Sequence, residues 1–552
     1  MSMFRDINSM DARRAAFHNV GRDQINADQV NFISHTTTGA IQRHSSAFTV
    51  YTHPHLEPLQ LLNPVPDAAY DSIQGVSECM EGTRREVIGK VVRWIDGDSD
   101  QPVCWLNGAA GAGKSAISRT VARLCEESDR LCASFFFFRG AGRRSTITHF
   151  ISTIAYSIAL SIPATRPYIE DVLQRDHHIL HRSHKRQFQH LIVEPIRLAI
   201  SPVRPRVIIV DALDECDDRQ EIAEFIDIVA CAFQESQTPL PLRFFFTSRV
   251  EEHIRSKFAA SPALDVTYCL NLQKFSAGND ICMFLRSRFA SIYQQKRRQI
   301  GNISLPWPSQ PDLDELVTKS MGSFIFAFTL VNFVNDGSDL PHRKLQTALQ
   351  SHSGLDPLYT QVLESASHSH HFTRVLQTII IIVTPISIID LAYLLQIDSG
   401  DVIHALQGVQ SIIMVPKDDE QPVRLLHTSL RDFLTTQARS QHLFINPATC
   451  HLSMVTDCLS VMTTQHGDII YGIEILQYAA WNWCRHLFSA VKEGGGVYLL
   501  SQDDAFVNTL IGFLSRSFDP WMNYIIFQIQ INDIVEILDF LLQVGIIVLT
   551  LK

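Results

Sequence analysis

Several things are scarce in this 552-residue sequence, and each absence excludes a class of protein. Long apolar runs are missing: the most apolar stretch, Phe540 to Leu551, is roughly 12 residues, and a bilayer span needs ~20, so no membrane span is expected. Basic residues are not in excess. Asp+Glu number 57 against 47 Lys+Arg, giving a net charge of −10, so the overall footprint of a nucleic-acid binder is lacking and no nucleic-acid partner is expected. The 11 cysteines are scattered, odd in number and never spaced C-x-x-C. That spacing argues against a zinc ribbon and a disulfide scaffold, and for a reducing compartment. The opening MSMFRDINSMDARR carries charge where a secretory signal needs an apolar run. A cytoplasmic protein is therefore expected. No period of 20–50 residues marks a repeat array. What is present is a globular balance, 46% hydrophobic and 19% charged, over a length sufficient for several domains of ~100–200 residues.

The most informative stretch is Pro102 to Ser115, PVCWLNGAAGAGKS. A short β-prone run ends in Gly108-Ala-Ala-Gly-Ala-Gly-Lys-Ser115, which satisfies G-x-x-x-x-G-K-[ST], and Ser115 to Cys125 follows with helical spacing. Gly108, Gly111 and Gly113 let the backbone curl until its N–H groups face a phosphate, and the helix N-terminus adds partial positive charge there. Lys114 can reach the β/γ-phosphates, and the Ser115 hydroxyl can hold Mg²⁺.

Arg206-Val-Ile-Ile-Val-Asp-Ala-Leu-Asp-Glu215 is the second anchor. Four apolar residues make a central strand, and Asp211 at its carboxyl end is placed to act on Mg²⁺. Asp214 and Glu215 follow within a turn, and three crowded carboxylates are costly unless a cation is near. Glu215, with Asp214 as the alternative, is the candidate to orient an attacking water. Leu242-Arg-Phe-Phe-Phe-Thr-Ser-Arg249 is a further buried strand, whose Thr247, Ser248 and Arg249 can face a terminal phosphate. An arginine there can sense that phosphate or stabilise its charge in the transition state.

Around these anchors the chain divides into five stretches. Residues 1–75 read as a flexible leader, with an alternating polar/apolar segment at 17–33 that suits short self-association. Residues 76–272 hold the nucleotide motifs, opened by the helix Thr83 to Ile95. Arg84 and Arg85 sit at its start, where a cation opposes the helix dipole, which leaves one of them open to another task. His177, His178, His181 and His184 have chelating spacing but no acidic or cysteine partner, and a polar helix end accounts for them. Residues 273–370 are helical. Residues 371–445 give helices, then two short strands flanking Asp418-Asp-Glu420, a winged-helix pattern running into His427. Residues 446–552 read as helix. The fold class expected is α/β: a P-loop parallel sheet flanked by helices, followed by helical, winged-helix and all-α parts.

This order of parts resembles the NACHT-type signalling NTPases of the STAND class, and within them the large fungal set with a nephrocystin-3-like N-terminal P-loop region. The matching segments are GTRREVI, CWLNGAAGAGKSAISRTVA, ASFFFFR, VIIVDALDECDD, LPLRFFFTSR, SMGSFIFAFTLVNFV and LLHTSLRDFL, which cover about residues 79–440. The resemblance implies a slow ATP/ADP switch in NOD-like, immunity-type or self/non-self signalling: ADP holds a closed monomer, and exchange for ATP permits self-association and contact with a downstream effector. It implies phosphate and Mg²⁺ binding by Gly108, Gly113, Lys114 and Ser115, action through Mg²⁺ by Asp211, sensing by Arg249, and contact of His427 with the β-phosphate of ADP. Two positions depart from the pattern. Val250 replaces the proline that usually follows the sensor, and Gly322-Ser-Phe324 replaces a Gly-x-Pro adenine contact. Relatives commonly carry WD, ankyrin or tetratricopeptide repeats after this core, whereas here helix continues. A nucleotide-locked, non-hydrolysing scaffold is the alternative.

Overall fold

The structure is a computed structural model that describes residues 58–72, 77–97, 99–139, 141–199, 205–234, 240–300, 305–366, 369–464, 474–493 and 504–526. The expected self-association stretch 17–33 lies outside the described residues, as does the apolar tail.

Five strands form one parallel sheet: β1 Val103–Asn107, β2 Leu131–Phe136, β3 Arg206–Asp211, β4 Leu242–Ser248 and β5 Thr267–Asn271. Their order is β2-β3-β4-β1-β5. Each of the first four strands is an almost wholly buried apolar run, as a sheet covered on both faces requires. The period of two then divides each run between the layers. Phe135 and Phe137, with Phe244 and Phe246, join the core under the helices Phe150–Ser161 and Arg219–Gln234. Phe136 and Phe245 face the opposite core, with Val87 and Val91 of α1 (Arg85–Asp96) and Ile117 and Val121 of α2 (Lys114–Glu127). Phe225 ties the first layer together through edge contacts to Phe150 and Phe188, with centroids 4.9 and 5.7 Å apart.

Residues 58–72, read from sequence as the end of a leader, pack on this layer. Leu59 and Leu62 are buried in its core, and the Val65 N–H donates to Thr153 Oγ1 at 3.0 Å. Turn residues hid that role, because the anchoring apolar side chains are spaced irregularly.

Beyond β5 the described chain is helical except for the antiparallel pair β6 (Ile413–Met414) and β7 (Arg424–Leu425). The pair follows the helices Phe372–Ile381, Ile388–Leu395 and Ser399–Ala405, and leads into the helix Ser429–Leu434. A single apolar cluster runs from Ile281 through Ile380, Leu430 and Trp483 to Trp521. The three stretches separated by sequence pattern therefore share one core. All eleven cysteines are free. Among the described residues no helix is long and apolar enough to cross a membrane.

Candidate functional site

Parallel strands end on one edge, and the strand order sets which ends are neighbours. β1 lies between β4 and β5, and β4 between β3 and β1. Leu106 stands opposite Thr247, and Val210 opposite Phe246, so the residues after β1, the end of β3 and the end of β4 converge. That edge receives the glycine loop, Asp211 and Thr247 together.

The loop between β1 and α2 turns through left-handed glycines, Gly111 at φ +71° and Gly113 at φ +90°. Lys114 opens α2, and its buried Nζ donates to the carbonyls of Gly108 and Ala109 at 2.9 and 3.0 Å. Burial lowers its pKa, while Asp214, Asp211 and Glu215 oppose that shift. Asp211 is buried and accepts hydrogen bonds from Ser118 Oγ at 2.7 Å, from Thr247 and from Ser115. Burial pushes its carboxyl upward, and the three hydroxyls pull the other way. Ser115 and Asp211 offer hard oxygen donors side by side, which is the chemistry Mg²⁺ takes. Thr247 Oγ1 also accepts from the Ala212 N–H at 3.1 Å, fixing the turn in which Ala212 is left-handed at φ 58°.

Ser248 points elsewhere. Its Oγ accepts from Trp105 Nε1 at 2.8 Å, on the layer opposite Thr247, so it does not belong to the expected phosphate-facing set. Alternation along a strand dictates this.

Arg249 lies just past β4. Its backbone N–H donates to Asp214 Oδ1 at 2.8 Å, and its Nε lies 3.1 Å from Asp214 Oδ2. Asp214 is thereby committed to arginine, leaving Glu215 as the freer carboxylate of the pair. Burial, then the neighbouring Asp214, raises Glu215 to about 7. Glu215 Oε1 accepts from Thr428 Oγ1 at 2.8 Å, and Oε2 accepts from the Arg139 N–H at 3.2 Å.

Thr428 comes from the far half of the chain, and so does Asp432, whose Oδ2 is 2.6 Å from Arg249 Nη1. Between β7 and the helix Ser429–Leu434 stands His427. Its Nδ1 accepts from the Ser429 N–H at 3.0 Å, which places the ring proton on Nε2. Burial, with the charges of Arg249 and Lys114, lowers its pKa to about 3, so the ring is neutral at neutral pH.

Sequence reasoning left the role of Arg84 open. It adopts φ 56°, is buried, and donates from Nη2 to the loop carbonyl of Ala112 at 2.8 Å. Its guanidinium lies 4.8 Å from the Phe324 ring centroid, and its backbone N–H reaches Asp280 at 3.1 Å. The signal available in sequence was a cation at a helix start, where the dipole disfavours it. Phe324, at the departed Gly-x-Pro position, thus packs against the loop through Arg84 and Gly113. The four histidines behave otherwise. Asp176, which accepts from the His178 N–H and pairs with Arg182 and Arg186, organises their turn, and among the described residues no metal-holding group of three or more such side chains occurs.

Comparison with known proteins yields one family by sequence: residues 82–249 match the family described as Nephrocystin 3, N-terminal. No curated protein matches. Among solved structures, a STAND protein with a tetratricopeptide repeat sensor from Pyrococcus horikoshii is similar at TM-score 0.43 and 11% identity, over 82% of this chain and 60% of that one. The present chain thus spans less than two thirds of that protein's length. The Aeropyrum pernix ORC2 protein (ADPNP–ADP complexes) gives TM-score 0.30 at 12% identity, over 64% of this chain and 92% of that one. The ORC1 protein of the same organism, in complex with DNA, gives 0.29 at 12%, over 70% and 98%. The sheet order, the loop after β1 and the flanking helices give this chain a P-loop NTPase fold, and its residues 82–249 are similar to the N-terminal region of nephrocystin 3.

Proposed function

We propose that this chain is an ATP/ADP-binding signalling NTPase of the NACHT/STAND type, whose output is self-association when the nucleotide changes. One observation carries the reading: Thr428 and Asp432, from the part after β7, hydrogen-bond to the same Glu215 and Arg249 that follow the nucleotide-binding strands. A later part of the chain is thereby coupled to the groups that would read and hydrolyse a nucleotide. Gly108, Gly111, Gly113, Lys114 and Thr247 would hold phosphate, and Ser115 and Asp211 would hold Mg²⁺. The metal, when bound, neutralises charge on the phosphates. Glu215 would orient water, with Asp214 fixing Arg249 beside it. Both Glu215 oxygens accept hydrogen bonds in this conformation, one from Thr428 and one from Arg139, so the base is occupied. Slow turnover follows, as a persistent switch requires. His427 would contact the diphosphate through its Nε2 proton and favour the closed form. Self-association, a downstream effector, a cytoplasmic location and an immunity-type role in a fungal setting complete the proposal.

The test is the nucleotide released on denaturing freshly purified protein, read beside native mass. One ADP per monomer is the expected result. An empty monomer that also refuses added ATP would replace the switch with a scaffold that holds partners without turnover. Lys114→Ala removes the one cation inside the loop and is expected to weaken nucleotide binding at least ~100-fold, by the cost of an unpaired buried phosphate charge. Unchanged affinity in that variant would refute the loop's role.

A further inference from the structure

Arg249 holds four contacts at once. Its backbone N–H and Nε engage Asp214, its Nη2 donates to Thr428 Oγ1 at 3.2 Å, and its Nη1 lies 2.6 Å from Asp432 Oδ2. The partners differ in origin. Asp214 follows β3 in the same sheet, whereas Thr428 and Asp432 come from the later part of the chain. The second Asp432 oxygen lies 3.6 Å from Arg139 Nη1, and Arg139 Nη2 donates to the Asp214 carbonyl at 2.6 Å. The carboxylate of Asp432 is thus a compact anion held between two arginines at the sheet edge, with about a quarter of its side chain exposed. Lys114, His427 and Glu215 are further titratable groups beside Arg249.

A planar guanidinium has a fixed number of donors. Nε faces Asp214, Nη2 faces Thr428, and the Nη1 edge is taken by Asp432. Three of its five N–H donors are engaged in this way, and a terminal phosphate that approaches the Nη1 end meets the negative charge of Asp432 and competes with it for Arg249. Asp214 is the harder to displace, because it also receives the Arg249 backbone N–H. Asp432 is the easier, and its charge and fork of two oxygens resemble those of a phosphate.

We propose that Asp432 sets the discrimination between nucleoside diphosphate and triphosphate, by occupying on Arg249 the place that a third phosphate would take. This rests on the nucleotide site described above. A diphosphate leaves the Arg249–Asp432 pair intact. A triphosphate competes with it, and each triphosphate bound breaks a bond joining the sheet edge to the helix Ser429–Leu434. By reciprocity, whatever disfavours the pair favours the triphosphate by the same factor.

The experiment titrates full-length protein with ADP and with the non-hydrolysable β,γ-imido analogue of ATP, in Mg²⁺, and reads the ratio of the two dissociation constants. Asp432→Asn keeps the side-chain shape and removes the charge. It is expected to lower the ratio Kd(analogue)/Kd(ADP) about tenfold, within the usual range for coupled sites, with ADP affinity little changed. In an Arg249→Ala background the same substitution is expected to leave the ratio where Arg249→Ala alone puts it, which a general loosening of the fold would not do. Asp432→Ser is the second variant should the asparagine fail to fold, and the same shift is expected. An unchanged ratio, or a shift that persists without Arg249, overturns the proposal. Failure of wild-type protein to bind either nucleotide overturns the nucleotide-site reading itself, and the Asp432 proposal falls with it.

Discussion

Asp214 and Glu215 are adjacent in sequence and meet different surroundings. Asp214 accepts the Arg249 N–H and lies against its Nε, whereas Glu215 meets a threonine hydroxyl and a backbone N–H. Burial and the charge of Asp214 raise the Glu215 carboxyl from its ordinary 4.5 to about 7. A carboxyl raised in the folded state keeps its proton where the unfolded chain has lost it. Its stabilising contribution is therefore complete below about 4.5 and is lost as pH rises through about 7. Glu215→Gln cannot ionise. Its melting temperature relative to wild type is expected to rise by roughly 2 °C or more between pH 5 and pH 8. Thermal melts of both proteins at the two pH values decide it: a pH-independent difference would mean that Glu215 titrates normally. The acidic pair was legible in sequence because it follows an apolar strand. Which member pairs with arginine was not, since that choice depends on Arg249, 35 residues from Asp214 along the chain. Arg84 was half legible for the same kind of reason: its misplaced charge showed, but Asp280, 196 residues away, did not.

At the scale of elements, strands were the most readable, because a sheet covered on both faces demands short continuous apolar runs such as Val207–Val210 and Phe244–Phe246. What those runs hide is facing, and Ser248 shows the consequence, since one step along β4 turns a hydroxyl from the site toward Trp105. Contacts between loops and distant helices were invisible. The helix Phe324–Asn335 begins directly on the glycine loop, where the Ile325 N–H donates to the Gly111 carbonyl at 3.1 Å. A Cβ on Gly111 would lie 2.1 Å from Ile325 Cγ2 and 3.0 Å from Ser323 Oγ, at a φ of +71° that side chains disfavour. Two costs combine in Gly111→Ala: overpacking of about 1–3 kcal/mol and left-handed strain of about 1–2 kcal/mol. A lower melting temperature and weaker nucleotide binding are expected. Adding Ile325→Ala removes the clashing Cγ2 and should restore part of the stability while leaving the strain. If the double variant melts no higher than Gly111→Ala, the helix start does not rest on the loop as described.

Over the whole molecule, two kinds of bonding alternate. Each half is held by apolar packing: the sheet between its two phenylalanine-rich layers, and the helices from Ile281 to Trp521 around one continuous cluster. Near the sheet edge the halves meet largely through polar contacts, including Arg249–Asp432, Thr428–Glu215, Arg431 to the Arg139 carbonyl at 3.1 Å, and the Gly142 N–H to the Val383 carbonyl at 2.9 Å. Polar contacts exchange with water at modest net cost, about 0.5–1.5 kcal/mol each, so such a junction can open without exposing either core. His427 stands at this junction. A hydrogen-bonded chain from Tyr359 through Ser429 to its Nδ1 fixes the ring, and the ring's depressed pKa keeps it neutral with the proton on Nε2. An Nε2–H bond to a charged phosphate would contribute roughly 1.5–3 kcal/mol, so His427→Ala is expected to weaken ADP retention about tenfold or more. Under the proposed switch, a diphosphate less firmly tied to the later half gives the open form more population, and the distribution is expected to move toward oligomers. Native mass measured alongside bound ADP tests both consequences in one preparation. A His427→Ala protein that stays monomeric with ADP tightly held would remove His427 from the switch, and would shift the coupling of the two halves onto Thr428 and Asp432 alone.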